Sequence, residues 1–369
     1  MRIGILTQPL HNNYGGLLQN FALQLTLRKM GHTVLTLDVR HKSYKLNPID
    51  RTIRFFARLL KRIKGDKNVL FIDVVTQVNF YNVPQKSQKE FIDKYLVIES
   101  FSNPLDKTFW ESHELDALVV GSDQVWRCRF SPYILNYFLD FAEGKSNLKR
   151  ISYAASFGVD CWDGENELVA PIKLLLQQFD AISVREESGI DICRETFSND
   201  AKLVLDPTLL LTAEDYKGIL PKCQNSSLKT CAVYILDPTS EQIRRINEIC
   251  LEKGLTVRFI GHPNKKGFPS IESWLSEIFS AEYVITDSFH GTVFSILAHK
   301  RFTTIVNSSR GAARFDTLLT MLDLKERMVT DDAVLINDMH IDYEKVETIL
   351  TEQRKNSYEF LSSNLGQTV

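Results

Sequence analysis

The stretch Y-V-I-T-D-S-F-H-G (283–291) carries the pattern that decides the fold of this 369-residue chain. Its first four residues form a short β-branched and aromatic run, and the helical pattern 292–299 follows directly after a small turn. A buried strand that leads at once into a helix is the repeating unit of parallel α/β proteins. This stretch therefore favours an α/β fold.

The same unit recurs along the whole chain, and it predicts an α/β fold built on parallel sheets. Amphipathic helical patterns lie between the strands, for example around Leu18 in the first half and around Ile246 in the second. The predicted strands are 2–6, 33–38, 117–120, 150–154, 181–184 and 203–205 in the first half, and 231–236, 256–260, 283–286 and 303–306 in the second.

A polar stretch that includes Gly218 and Pro221 separates the two well-patterned halves. We expect an N-terminal α/β domain over 1–212, a linker over 213–229, and a smaller C-terminal α/β domain over 230–369 that ends in a helix. Residues 41–110 interrupt the alternation and are interpreted as an insert in the first domain.

The composition excludes several classes of protein. Hydrophobic residues make up 44% and charged residues 24%, as in ordinary globular proteins, which argues against a disordered chain. The chain has 44 basic and 46 acidic residues, so a nucleic-acid partner is not expected. There is no run of 18 apolar residues to span a membrane, and the N-terminus turns polar by Thr7, too soon for a signal peptide. The six cysteines are scattered, which favours a reduced, cytoplasmic protein.

The segment 51–67 is a basic amphipathic pattern with seven basic residues and one acidic residue. Its apolar residues Ile53, Phe56, Leu60 and Ile63 recur at helical spacing. One interpretation is a helix that packs its apolar side on the domain and leaves its charges in water. Another is a peripheral contact with an anionic membrane surface or a lipid-diphosphate head group. A docking site for a partner protein is a third interpretation.

Polar motifs follow the predicted strands, and the carboxyl ends of parallel strands are where such sheets bind ligands. Asn13, Tyr14 and Gly15 come after the first strand at the start of a helix, a place that suits an anion or that forms a plain turn. Ser122, Asp123 and Gln124 follow 117–120, where Asp123 is a candidate for ligand contact or catalysis and, alternatively, for a helix cap. Ser156 follows 150–154.

Arg185 follows the predicted strand 181–184, and its planar guanidinium suits a phosphate or a carboxylate. The alternative is a simple ion pair with the neighbouring Glu186 or Glu187.

The turn after 283–286 places Ser288, His290 and Gly291 at a helix start, where backbone N–H groups attract an anion. A histidine at this position can donate to a phosphate or move a proton near neutral pH, or it can simply cap the helix. Arg310 and Arg314 add positive charge after the next strand, and one of the two is expected to be merely solvated. The arginines, the histidine and the helix starts together predict an anionic substrate. Neither a carboxylate pair nor a cysteine cluster has metal spacing, so we expect no metal.

These segments together resemble the polysaccharide pyruvyl transferase family. The resemblance runs in order from about residue 1 to about 327, although residues 41–110 carry no diagnostic motif. The matching motifs are N-Y-G-G-x-L-Q-N-x-A-L-Q (13–24), V-V-G-S-D-Q-V-W (119–126), S-F-G (156–158), S-V-R-E (183–186), D-P-T (206–208) and T-D-S-F-H-G (286–291).

The resemblance implies a GT-B-like fold of two Rossmann-type domains with a cleft between them. It implies transfer of a pyruvyl group from phosphoenolpyruvate, the donor substrate, to a sugar or lipid-linked saccharide. The product is a pyruvate ketal on that acceptor, and no cofactor is implied. His290 and Asp123 are the implied catalytic residues, Arg185 binds the donor, and Arg310 and Arg314 remain alternatives there. Two other interpretations stay open: a GT-B glycosyltransferase that uses a nucleotide sugar, and a non-catalytic sugar- or phosphate-binding protein.

Overall fold

The computed structural model describes residues 1–40, 84–221, 228–236, 238–263, 267–306, 311–330 and 336–366. The basic amphipathic segment 51–67 and Arg310 lie outside these described residues. Within the described part, no helix is both long enough and apolar enough to cross a membrane.

The first sheet has five parallel strands in the order β3-β2-β1-β4-β5. A separate parallel pair, β6 and β7, continues from its edge through a bridge between Ala155 and Val184. The strands are β1 Arg2–Leu6, β2 Thr33–Val39, β3 Ile98–Phe101, β4 Ala117–Val120, β5 Lys149–Ser152, β6 Ser183–Val184 and β7 Lys202–Leu203.

The second sheet also has five parallel strands, in the order β12-β11-β10-β8-β9. The two sheets confirm the prediction of an α/β fold with parallel sheets. Their orders are the two common doubly wound arrangements, one on each half of the chain. The strands are β8 Thr230–Tyr234, β9 Thr256–Phe259, β10 Tyr283–Thr286, β11 Arg301–Val306 and β12 Met328–Thr330.

Helices connect the strands and cover the sheets. The α-helices are α1 Tyr14–Lys29, α2 Lys86–Tyr95, α3 Val169–Leu176, α4 Glu187–Glu195, α5 Pro207–Leu210, α6 Ala213–Lys217, α7 Ser240–Glu252, α8 Ile271–Ser280, α9 Phe289–Leu297, α10 Ala312–Met321 and α11 Tyr343–Leu365. Short 3-10 helices span Lys107–Glu111, Ile134–Phe138, Asp140–Ala142, Asn166–Leu168 and Lys325–Arg327.

Part of the predicted insert 41–110 belongs to the first sheet. Helix α2 leads into β3, which pairs in parallel with β2 and forms the edge of the sheet. The sequence pattern did not identify β3, whose four residues are only half buried or exposed. An edge strand pairs on one side only, so its sequence need not show the continuous apolar run of a central strand.

The last helix, α11, crosses from the second half of the chain back to the first. The Leu205 backbone N–H donates to Ser357 Oγ at 3.0 Å, and Arg354 Nε donates to the Leu209 carbonyl at 2.8 Å. Leu361 is fully buried in the same apolar cluster as Ile3. The helix therefore stabilises the first sheet although the chain reaches it last.

Aromatic side chains join the two halves directly. The ring of Tyr14, in the first turn of α1, stacks on Trp274 of α8 with centroids 5.3 Å apart and an interplanar angle of 13°. The Tyr14 hydroxyl donates to the Pro269 carbonyl at 2.8 Å. Gln88 Nε2 of α2 donates to the same carbonyl at 2.9 Å. These contacts bring the carboxyl ends of the two sheets toward each other.

Candidate active site

A cavity of about 570 Å³ opens between the two sheets. Residues that follow β9 and residues of α10 form part of its wall. The rest comes mainly from the segments that follow β1 and β4 in the first sheet and β8 and β10 in the second. In each sheet these are the two neighbouring strands at which the strand order reverses. Open parallel sheets bind ligands at this point, outside the carboxyl ends of the strands. The cavity is therefore placed where both halves of the fold favour a ligand.

Helix α9 begins at the cavity and carries His290 in its first turn. Ser288 is the N-cap residue, and its Oγ accepts from the Gly291 backbone N–H at 3.4 Å. A Cβ at Gly291 would lie 2.2 Å from Thr286 Oγ1, so only glycine lets the helix start this close to β10. Ser288 and His290 both line the cavity. The helix N-terminus and the imidazole thus face the same space.

Helix α1 begins opposite α9 with the same capping pattern. Asn13 is its N-cap residue and accepts from the Gly16 backbone N–H at 3.2 Å. A Cβ at Gly15 would lie 2.0 Å from His290 Nδ1. Glycine is therefore required at this position for the imidazole that follows the second sheet to lie against backbone that follows the first sheet.

The loop after β4 adopts backbone conformations that few side chains tolerate. Gly121 has a φ of +128°, and a Cβ there would lie 2.1 Å from the Tyr153 carbonyl oxygen. Asp123 has a φ of +74°, a left-handed conformation that is uncommon outside glycine and clusters at functional sites. This bend brings Asp123 and Gln124 to the cavity wall.

Arg185 lies at the end of β6 among three carboxylates, and we call Arg185, Asp123, Asp206 and Glu186 the carboxylate cluster. Its Nη1 is 2.6 Å from Asp206 Oδ2, its Nη2 is 2.9 Å from Asp123 Oδ1, and its Nε is 3.9 Å from Glu186 Oε2. Burial lowers the pKa of Arg185, but Asp206, Asp123 and Glu186 outweigh it and raise that pKa overall. The side chain is 1% exposed and does not line the cavity.

The two aspartates of the cluster are held in their ionised forms. Burial alone would raise the pKa of Asp206, but His290, Arg185 and Thr208 outweigh this and lower it well below its usual range. Burial likewise acts to raise the pKa of Asp123, and Arg185, His290 and Arg314 bring it below its ordinary value. Both carboxyl groups are therefore anionic at neutral pH.

Arg314 lies in α10 and lines the cavity, in contrast to Arg185. Burial and the nearby charge of Arg185 lower the pKa of Arg314 to about 10, so it still carries its proton at neutral pH. Both guanidinium groups stack near the ring of Phe289, at 4.9 Å for Arg185 and 5.6 Å for Arg314. Arg314 is therefore one of the cations that an anionic ligand in the cavity can reach, whereas Arg185 is not.

The profile of the polysaccharide pyruvyl transferase family matches residues 13–309, which is most of the chain. The chain belongs to the polysaccharide pyruvyl transferase family. Among curated proteins, none matches the sequence.

The solved structures to which this pyruvyl transferase is similar are distant in sequence. A functionally uncharacterised protein from Klebsiella pneumoniae is 12% identical with a TM-score of 0.39, covering 85% of this chain and 97% of that one. A putative UDP-N-acetylglucosamine 2-epimerase from Listeria monocytogenes is 9% identical with a TM-score of 0.48, covering 100% and 92%. A Streptomyces glycosyltransferase is 10% identical with a TM-score of 0.45, covering 96% of each chain. The fold description therefore rests on the sheets themselves.

The structure gathers most of the predicted site residues of this pyruvyl transferase at one cavity. Those that line it are Asn13, Tyr14, Asp123, Gln124, Ser288, His290 and Arg314. The remaining described ones are buried and do not line it: Gly15, Ser122, Ser156, Arg185 and Gly291.

The buried residues support those at the cavity wall. Ser122 Oγ lies 3.2 Å from Asp206 Oδ2, and the Ser156 backbone N–H donates to the Asp123 carbonyl at 3.0 Å. Arg314 lines the cavity, whereas Arg310 lies outside the described residues, so the choice between them stays a proposal.

The sequence did not point to several other residues of the cavity wall, among them Arg127, Arg129 and Phe130. Arg127 is buried, its Nη1 donates to Gln124 Oε1 at 3.0 Å, and it stacks 4.7 Å from the ring of Phe130. These residues directly follow the motif G-S-D-Q-V-W, and extending that motif by four positions is the signal that could have found them. Within the described chain, no group of three or more His, Cys, Asp or Glu side chains could hold a metal ion.

Proposed function

We propose that this pyruvyl transferase moves the pyruvyl group of phosphoenolpyruvate onto a sugar of a surface or exopolysaccharide precursor in the cytoplasm. The product would be a ketal that bridges two sugar hydroxyls. Family membership supports the reaction type. The observation that carries the choice of donor is the convergence of Arg314, His290 and the N-terminus of α9 on one cavity. A cation, an imidazole and backbone N–H groups together suit a ligand with a phosphate and a carboxylate.

His290 is the proposed proton donor of the reaction. Protonation of the donor's methylene carbon makes its C2 electrophilic, and a sugar hydroxyl then attacks C2 as phosphate leaves and a second hydroxyl closes the ketal. This order needs a general acid close to the donor. Asp123 is ionised, because its pKa is lowered, and an ionised carboxylate cannot donate a proton. We therefore assign the acid role to His290 and leave to Asp123 the acceptance of a hydroxyl proton or contact with the sugar.

The acceptor would occupy the part of the cavity near Phe130, whose side chain is 42% exposed. Ligand pockets commonly measure about 300–1,000 Å³, and a cavity of about 570 Å³ lies within this range. An exposed aromatic face offers apolar contact to the C–H groups of a sugar ring.

A lipid-linked acceptor, which the protein would reach at the membrane surface through segment 51–67, belongs to the same proposal. Greater co-sedimentation with anionic than with neutral vesicles at low salt would support this membrane contact, and equal partitioning would reject it.

The decisive experiment incubates the purified chain with phosphoenolpyruvate and a panel of free, nucleotide-linked and lipid-linked sugars. We expect phosphate release that depends on one acceptor class, together with a pyruvyl mass gain on that acceptor. The His290→Ala variant is the control for contaminating phosphatase. Consumption of a nucleotide sugar with glycosyl transfer, and no use of phosphoenolpyruvate, would favour a glycosyltransferase instead.

A further inference from the structure

We propose that Asp206 is a positioning residue of the transfer reaction, holding Arg185 of the first domain and His290 of the second in one fixed arrangement. This inference rests on the proposed function, since it concerns the acid and the charges of the same site. Asp206 opens the D-P-T motif (206–208), and its side chain is 1% exposed. Water therefore does not compete for its oxygens.

One oxygen of Asp206 fixes the side chain to its own backbone. Asp206 is the N-cap residue of α5, and its Oδ1 accepts from the Thr208 backbone N–H at 3.0 Å and from Thr208 Oγ1 at 2.6 Å. Two bonds to one neighbouring residue leave the carboxylate a single orientation. The second oxygen is consequently aimed at a fixed point.

The second oxygen faces side chains from three separate segments. Asp206 Oδ2 is 2.6 Å from Arg185 Nη1, 3.2 Å from Ser122 Oγ and 3.8 Å from His290 Nε2. The histidine contact is longer than a hydrogen bond in this structure, and catalytic contacts often shorten only when substrate binds. Among the described residues, no other carboxylate is within ion-pair distance of both Arg185 and His290.

This placement gives Asp206 a defined influence on the imidazole of His290. A carboxylate opposite Nε2 restricts rotation of the ring and keeps Nε2 turned toward Asp206. The backbone at Gly15 limits the ring on its Nδ1 side, since a Cβ there would lie 2.0 Å from Nδ1. His290 is thus held between Asp206 and Gly15.

The negative charge of Asp206 also makes a test possible that separates positioning from a structural role. Phosphoenolpyruvate is an anion, so a buried carboxylate near its site opposes its binding. Removal of that charge leaves donor affinity unchanged or increases it, whereas loss of imidazole orientation lowers kcat. A general loosening of the site would instead weaken donor binding as well.

The test compares Asp206→Asn with Asp215→Asn. Asp215 is a matched control because it also caps a helix, through Thr212, and also pairs with a cation, Lys29 at 2.6 Å, but it does not line the cavity. Donor affinity is measured by calorimetry with phosphoenolpyruvate, and kcat by phosphate release with the acceptor from the panel above. For Asp206→Asn we expect kcat to fall about 10²–10⁴-fold with a dissociation constant for phosphoenolpyruvate no larger than that of the wild type. Asp215→Asn should change neither.

A kcat within threefold of the wild type for a folded Asp206→Asn, or a parallel loss of donor affinity, would overturn the proposal. Thr208→Val tests it independently should Asp206→Asn not fold, because it frees Oδ1 from a 2.6 Å bond without changing any charge. We expect a kcat loss of about tenfold there with donor affinity retained, and unchanged kcat would contradict positioning. Wild-type protein that binds no phosphoenolpyruvate would instead reject the proposed function.

Discussion

Two arginines reach the same aromatic ring from different regions of the molecule, and their surroundings give them opposite properties. Arg185 lies in the carboxylate cluster, where three acids raise its pKa. Arg314 lies in the cavity wall, where burial and Arg185 itself lower its pKa. Both stack within 6 Å of the Phe289 ring centroid. The lesson is that an arginine at a strand end is not by itself an anion site, because the Arg185 guanidinium contacts buried carboxylates and does not line the cavity.

The largest expected effect concerns His290, which belongs to both regions since it faces Asp206 and also lines the cavity. We expect His290→Ala to reduce kcat about 10²–10⁴-fold, the usual contribution of a general acid, while the dissociation constant for phosphoenolpyruvate changes much less. Steady-state phosphate release and calorimetry measure the two quantities. Near-normal turnover in a folded variant would show that His290 is not the general acid.

The next effect tests the carboxylate cluster. Arg185→Met leaves Asp123, Asp206 and Glu186 buried without their common cation, so we expect the free energy of unfolding to fall by about 3–5 kcal/mol. Urea unfolding at pH 7 measures it. A variant as stable as the wild type would show that the carboxylate cluster does not depend on Arg185. The structural role that distinguishes Arg185 from Arg314 would then be wrong.

The matched substitution in the cavity wall is Arg314→Met. We expect a smaller loss of stability than for Arg185→Met, because burial and Arg185 disfavour the charge of Arg314 while Asp123 and Glu186 favour it. The dissociation constant for phosphoenolpyruvate should rise about 10- to 100-fold, as expected for the loss of a charged hydrogen bond. Should Arg314→Met instead unfold the protein and leave donor affinity intact, the two arginines would have the reverse of the roles assigned to them.

A smaller effect is expected where helix α1 lies against the imidazole of His290. Gly15→Ala introduces a Cβ that would lie 2.0 Å from His290 Nδ1, whereas Gly16→Ala meets nothing closer than 3.4 Å. Both positions lie in the first turn of α1, where alanine is a better helix former than glycine. We expect kcat to fall about tenfold for Gly15→Ala alone, because the ring is displaced. Equal activity of the two variants would show that the close approach of Gly15 to His290 does not matter for catalysis.

The smallest expected effect is on the free energy of unfolding at acid pH, to which the carboxylate cluster contributes. Because the folded-state pKa of Asp206 is lowered, its contribution to stability is present above about pH 4 and is lost as pH falls through that folded value. Urea unfolding from about pH 5 to about pH 3 should show a steeper loss for the wild type than for Asp206→Asn, by up to about 1.4 kcal/mol per pH unit. Identical slopes would indicate that Asp206 is not held ionised.

Central strands and the turns that follow them could be predicted from the sequence. The bounds of β1, β4 and β10 agree with their apolar runs, since these strands pair on both sides and are buried on both faces. The edge strands β3 and β12 have half-buried or exposed patterns and were not predicted from the sequence. The edge strand β9 is also largely exposed, but it was predicted because its run T-V-R-F-I (256–260) is rich in β-branched and apolar residues.

The same limit applied to the site. The position of His290 at the carboxyl end of a strand could be predicted because a strand and a helix start flank it in the sequence. The neutralisation of Arg185 could not, because Asp206 and Asp123 lie 21 and 62 residues away along the chain and only the folded structure brings them together. Arg127 could not be predicted for a related reason, since the loop that brings it to the cavity shows no regular hydrophobic periodicity.

A crystal structure with phosphoenolpyruvate bound tests the central claim most directly. We predict that the donor's phosphate or carboxylate contacts Arg314 and the N-terminus of α9, with His290 beside the methylene carbon, while Arg185 keeps its contacts to Asp123 and Asp206. A donor whose anionic groups contact Arg185 in place of those aspartates, or one bound outside this cavity, would contradict the account.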